Sequence, residues 1–232
     1  MKRSVLALMG LLMIGRLPGT AQIMELHTKT GGTQSFDLTK VDSITFISGF
    51  SYFEGFDTSA TGWTKVAGPG NMQVVTGVFK HPSTGSSDWC EYAYGVKTFA
   101  NAIYEVDINV DSTAVSTQFS WRAPSLAELS GTGGAYAARF NNSNLAPGTA
   151  GHFILEKFDP AGRSILLDVS QHFYGLNHLT INDQGSSISV SINGVSYGTI
   201  DVSGYTPVSP GYLFFVGGDQ GGGDFFDNMI VR

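Results

Sequence analysis

From residue 52 onward, apolar residues recur at every second position in short runs separated by Gly, Ser, Asn, Asp and Pro. Alternation over four to eight residues is the mark of a half-buried strand, whereas an amphipathic helix needs apolar residues three and four apart. The pattern predicts strands over 63–66, 72–79, 92–96, 102–110, 117–122, 135–141 and 152–158. Further strands are expected over 164–169, 176–182, 187–192, 195–200, 211–216 and 224–231. Asn193-Gly194 stands between two extended runs, the strongest short hairpin signal in the chain. No long segment has helical periodicity and no repeat of 20–50 residues is visible. About a dozen short strands with turn signals between them predict an all-β fold, a two-sheet antiparallel sandwich or jelly roll.

The first 51 residues follow other rules. Lys2 and Arg3 precede an apolar stretch from Val5 to Gly15, and Gly19-Thr20-Ala21 offers small residues before Gln22. This is the layout of a secretory signal peptide over 1–21, too short to span a bilayer. Residues 22–51 read as a short β leader and linker. Ile23–Lys29 alternates, Thr30–Thr33 is a turn, Gln34–Leu38 extends again, and Val41–Phe46 offers a further strand. The segment resembles a leader found on exported proteins of Bacteroidota-type bacteria. The sandwich itself is expected over 52–232, in a protein that is secreted, periplasmic or held at the cell surface.

Composition narrows the partners. The chain is 42% hydrophobic and 14% charged, with 30 Gly, and carries a formal net charge of −6. Loss of residues 1–21 removes three basic residues and no acid, which leaves 10 basic against 19 acidic residues, a net −9. So acidic a surface repels a phosphate backbone or an anionic membrane, and no nucleic-acid or membrane-inserting role is expected. Cys90 is the only cysteine. It has no internal disulfide partner and no His close in sequence to activate it, so it reads as a structural thiol.

Several motifs in order resemble one family. Phe53-Glu54-Gly55-Phe56-Asp57 with Thr61-Gly62-Trp63 is similar to the opening of concanavalin A-like modules. Ile103–Ile108, Phe119-Ser120-Trp121-Arg122, Gly134–Arg139, Leu155-Glu156-Lys157, the 179–194 hairpin and Phe226–Val231 continue the likeness. Residues 52–232 thus resemble the concanavalin A-like lectin and glucanase superfamily, and within it the 3-keto-disaccharide hydrolase and laminin-G-like domains. The resemblance implies a sandwich that holds carbohydrate or cuts it. Relatives of this kind often tie their first and last strands through calcium, which would assign Glu54 and Asp227 as ligands, with Asp219 and Asp224 as a rival pair.

The residues themselves favour holding over cutting. Glycoside hydrolysis needs two facing carboxylates. Glu105 and Asp107 share a strand face, but Asn109 stands where the laminarinase-like pattern has its last acid, and an amide cannot protonate a leaving group. No Gly-x-Ser-x-Gly elbow or zinc-spaced His/Cys set occurs, so no catalytic residue is assigned. Sugar binding asks instead for flat aromatics and planar polar groups. Trp89, with Tyr92 near it, is the aromatic candidate. Alternation puts Gln118 and Arg122 on one strand face and Arg139 and Asn141 on another, facing away from Trp121 and Phe140. The expected function is a secreted, non-catalytic carbohydrate-binding sandwich that holds an oligo- or polysaccharide on its concave sheet. A glycoside hydrolase-like enzyme and a structural or adhesive surface protein are the alternatives.

Overall fold

The computed structural model describes residues 23–27, 33–37, 52–82, 88–112, 115–127, 129, 134–142, 151–159, 162–205, 210–218 and 223–232. The signal segment, the strand expected over Val41–Phe46, the loop 83–87 and Asp219 lie outside them. The chain separates into two compact units, Met1–Ser48 and Gly49–Arg232. In the first, β1 (Ile23–His27) and β2 (Thr33–Asp37) pair antiparallel, with Ile23 opposite Asp37. Among the described residues no helix is long and apolar enough to cross a membrane.

The second unit is a sandwich of antiparallel strands. Its strands begin with β3 (Tyr52–Glu54), β4 (Trp63–Ala67), β5 (Gln73–Val75), β6 (Val78–Lys80) and β7 (Cys90–Phe99). The central ones are β8 (Ala102–Val110), β9 (Ser116–Ala123), β10 (Ala135–Asn141), β11 (His152–Asp159) and β12 (Gly162–Val169). The last are β13 (Gly175–Asp183), β14 (Ser187–Ile192), β15 (Val195–Asp201), β16 (Gly211–Gly217) and β17 (Phe225–Val231). One sheet has seven strands in the order β12-β11-β10-β9-β16-β7-β4. The other has eight, in the order β15-β14-β13-β8-β17-β6-β5 with β3 added along β17.

Alternation builds the core, as expected of strands that bury one face. Phe119, Trp121, Tyr136, Phe140 and Phe153 of the first sheet meet Tyr104, Val106, Ile108, Leu179 and Ile181 of the second. Asn193 and Gly194 both have positive φ (53° and 76°), which closes the expected hairpin with a turn matched to strand twist. The run over 72–79 is two strands, not one. Thr76 and Gly77 turn it back at φ 50° and 82°, so β5 folds onto β6.

Sequence alternation fails at one place that matters. In β9, Ser120 faces Phe214 and Ala123 faces Tyr212, so two residues of β9 oppose Leu213 alone. This β-bulge puts Arg122 at φ 59° and turns its side chain inward. Arg122 Nε and Nη2 donate to Asp183 at 2.5 and 2.6 Å, and Trp121 Nε1 reaches the same carboxylate at 2.9 Å. Arg122, expected on the open sheet face with Gln118, therefore clamps β9 to β13 of the opposite sheet.

A polar cleft on the seven-stranded sheet

The outward face of the seven-stranded sheet is covered over much of its area, and β9 and β10 are buried on both sides. Leu129 packs over Ala93, Ala123, Ala135, Ala137 and Phe214, and its N–H donates to Glu91 Oε2 at 2.9 Å. Beside this covered patch lies a polar row set by strand register. Arg139 of β10 stands opposite Gln118 of β9, Gln118 opposite Val216 of β16, and Val216 opposite Glu91 of β7.

Arg139 Nε donates to Gln118 Oε1 at 3.0 Å, and Gln118 Nε2 donates to Ser120 Oγ at 2.7 Å, which fixes the amide orientation. The other end of the Arg139 guanidinium meets Glu156 of β11, one diagonal step away. Arg163 of β12 closes on the same carboxylate with Nε at 3.2 Å and Nη2 at 2.8 Å. Arg139 is 3% exposed and Glu156 1%, and burial holds the Arg139 pKa down at about 10. A cleft of about 300 Å³ opens along this row, bordered by Trp89, Glu91, Gln118, Arg139, Phe158 and Arg163.

Of the residues expected to bind a ligand, Trp89, Gln118 and Arg139 come together at this cleft. Arg122 does not, because the bulge turns it away. Tyr92 is not there either: it projects into the core, edge-on to Phe79 at 5.1 Å between ring centroids, with its hydroxyl donating to the Met72 carbonyl. Its neighbours in β7, Glu91 and Ala93, take the outward face instead. Asn141 shares the outward face with Arg139 but is fully buried, opposite Ser116 and His152. Glu91, Glu156 and Arg163 carry no assignment from sequence. The signal for Glu156 was an acid directly after the apolar run Phe153-Ile154-Leu155, which needs a cation across the sheet.

The other expected acids lie elsewhere. Glu105 and Asp107 project from β8 on the outward face of the eight-stranded sheet, across the core from the cleft. Asp107 lies 2.7 Å from His178 Nδ1 and accepts from Asn228 Nδ2 at 2.9 Å, while Glu105 pairs with Arg232 at 3.0 Å. Burial alone raises Asp107, but the His178 and Asn228 hydrogen bonds outweigh it and hold its pKa below the usual range. Such a group stays ionised and cannot serve as a general acid.

Glu54 and Asp227, the pair assigned to calcium, each serve local partners. Glu54 accepts from the Phe56 N–H at 3.0 Å and the Tyr52 hydroxyl at 3.2 Å, and Asp227 accepts from the Asn228 N–H at 2.8 Å. Burial, then the charges of Asp107 and Asp57, raise the Asp227 pKa; Glu54 is not among its charged neighbours. Calcium takes six to eight oxygen ligands, and among the described residues no group of three His, Cys, Asp or Glu side chains is arranged to hold a metal. The pair does not by itself fit a calcium site. Cys90 is buried, and burial pushes its thiol up to about 12, so it stays neutral and unreactive.

Comparison with solved structures finds the same two-sheet jelly-roll fold in other proteins. The carbohydrate binding module CBM66 from Bacillus subtilis superposes with a TM-score of 0.55 at 14% identity, over 74% of this chain and 96% of that one. The Bacillus licheniformis β-glucanase gives 0.57 at 17% identity, over 80% and 98%. A glycoside hydrolase family 16 endo-glucanase from Bacteroides ovatus gives 0.54 at 12% identity, over 78% and 99%. At such identities the likeness establishes the fold. No family model and no curated protein matches the sequence, so the finer likeness to the 3-keto-disaccharide hydrolase domain stays without support.

Proposed function

We propose that residues 52–232 form a carbohydrate-binding module that holds a sugar in the cleft of the seven-stranded sheet and does not cleave it. The observation that carries this reading is the array of Gln118, Arg139, Glu156 and Arg163 beside Trp89. Burying guanidinium and amide groups on an outward sheet face is costly unless every fork is aligned. Once aligned, they present planar donors at fixed spacing, which suits sugar hydroxyls, while the indole of Trp89 offers an apolar face to a ring. The carbohydrate-binding module and the glucanases among the similar folds support the same substrate class. A cleft of about 300 Å³ lies at the lower limit for small-ligand sites, so it suits one or two sugar rings better than a long chain.

Among the described residues the acids at this cleft do not form the carboxylate pair that cleavage needs. Glu91 and Glu156 stand four strand spacings apart, roughly 19 Å at ~4.8 Å per strand. Retaining and inverting glycosidases need separations of about 5–5.5 Å and 6.5–9.5 Å. Residues 1–21 read as an export signal, so the module would meet its glycan outside the cytoplasm.

A glycan array followed by titration calorimetry tests the proposal. Trp89→Ala and Gln118→Ala should each weaken the best ligand about tenfold, the size of a stacking or hydrogen-bond contribution. Binding to no glycan, or binding indifferent to both substitutions, would overturn it, as would release of reducing sugar from the bound glycan.

A further inference from the structure

Charge is unevenly spread over the cleft. Two guanidinium groups, Arg139 and Arg163, share the single carboxylate of Glu156. Among the described residues that line the cleft the acid is Glu91, three strand spacings from Arg139, roughly 14 Å away at ~4.8 Å per strand, where it holds the Leu129 N–H. It is too distant to pair with either arginine. The two like charges sense each other: after burial, the Arg163 charge adds to the depression of Arg139, against the opposing pull of Glu156.

This surplus stands in an acidic chain, whose formal net charge is −6. Arg122 is matched by Asp183, Arg232 by Glu105 and Lys157 by Asp159. The donor count agrees with the charge count. A guanidinium carries five N–H donors. Arg139 spends Nε on Gln118 and Nη2 on Glu156, and Arg163 spends Nε and Nη2 on Glu156. Among the described residues neither Nη1 has a hydrogen-bond partner, and both side chains border the cleft.

We propose that the sugar taken by this cleft is anionic, carrying a carboxylate of the uronic-acid kind, which seats against the Nη1 edges of Arg139 and Arg163. This rests on the carbohydrate-binding reading above and narrows it. A planar carboxylate matches the guanidinium fork and neutralises the surplus charge, whereas a neutral sugar satisfies donors and leaves the charge in place.

The test titrates the full chain with short oligomers of galacturonate and of mannuronate, each beside its carboxyl-reduced neutral counterpart. The acid form should bind about tenfold tighter or more, as charge-assisted hydrogen bonds require, and added salt should narrow the gap. Arg163 lies on an edge strand with its side chain 40% exposed, so its replacement spares the core. Arg163→Ala should abolish the preference for the acid, and Arg163→Lys should keep part of it. Neutral forms binding as well as acids, or a preference that survives Arg163→Ala, would overturn this inference while leaving sugar binding intact. Failure of every charged and neutral glycan to bind would overturn both.

Discussion

Asp224 sits just before β17 with no exposure to solvent, where its Oδ1 accepts the Asp111 N–H at 2.9 Å and its Oδ2 the Gly218 N–H at 3.3 Å. Gly218 borders the cleft, so this one carboxylate holds part of the cleft wall. Burial raises its pKa from 3.8 to about 6, against the lowering effect of those N–H groups. Between these two values the folded chain binds the proton that the unfolded chain has released. Stability from this group is therefore full below pH 3.8 and is lost as pH rises through about 6. Asp224→Asn should flatten that component: urea melts from pH 4 to 6.5 should show the native protein losing stability relative to the variant as pH rises. A difference between the two that stays constant with pH would refute it. The His178–Asp107 pair works at both ends of its own range. His178 is raised by the Asp107 hydrogen bond and Asp107 is lowered, so the pair weakens as pH rises through the His178 value or falls through that of Asp107. Its partial exposure to solvent keeps its contribution small.

At the level of strands, the bulge in β9 decides which arginine is a ligand candidate and which is a clamp. Gly211 in β16 permits it: a Cβ there would lie 2.4 Å from Arg122 Cα and 2.5 Å from its carbonyl carbon. Backbone offers no such give, so Gly211→Ala should cost about 2 kcal/mol or more and lower the denaturant midpoint. An unchanged midpoint would mean that the bulge tolerates a side chain. Alternation made Gln118 and Arg139 legible as outward-facing residues, since a period of two depends on one strand alone. Arg122 was not legible, because a bulge belongs to two strands and only the pairing of β9 with β16 reveals it. The inward place of Tyr92 was not legible for a related reason. Its nearness to Trp89 in sequence says nothing of the face that β7 turns to the core, and the phenol ring went with the apolar side. Glu156 and Arg163 were not legible because each takes its role from a partner on the next strand, Glu156 from Arg139 and Arg163 from Glu156. The Thr76-Gly77 turn was likewise hidden in an apolar run that read as one strand.

Across the whole sandwich, most strands fall within a residue or two of their sequence-based bounds, since the patterning and Gly-rich turns agree with one another over the full length. The cleft crosses the two strands buried on both faces, so the polar row stands on the least deformable part of the sheet. The opening strand β3 has a different setting. It is three residues long, it lies against β17, and its first residue, Tyr52, is the register partner of Val231. The sandwich thus receives and releases the chain at the same corner. Tension applied through the two ends would load the hydrogen bonds between antiparallel β3 and β17 in sequence, like teeth of a zipper, and not all together in shear. Pulled in an optical trap by residues 52 and 232, the sandwich should yield at low force with β3 and β17 peeling first, and a high-force all-at-once rupture would contradict this. The mechanical weak point would then lie along the β3–β17 seam, while the arginine cleft sits on the opposite sheet.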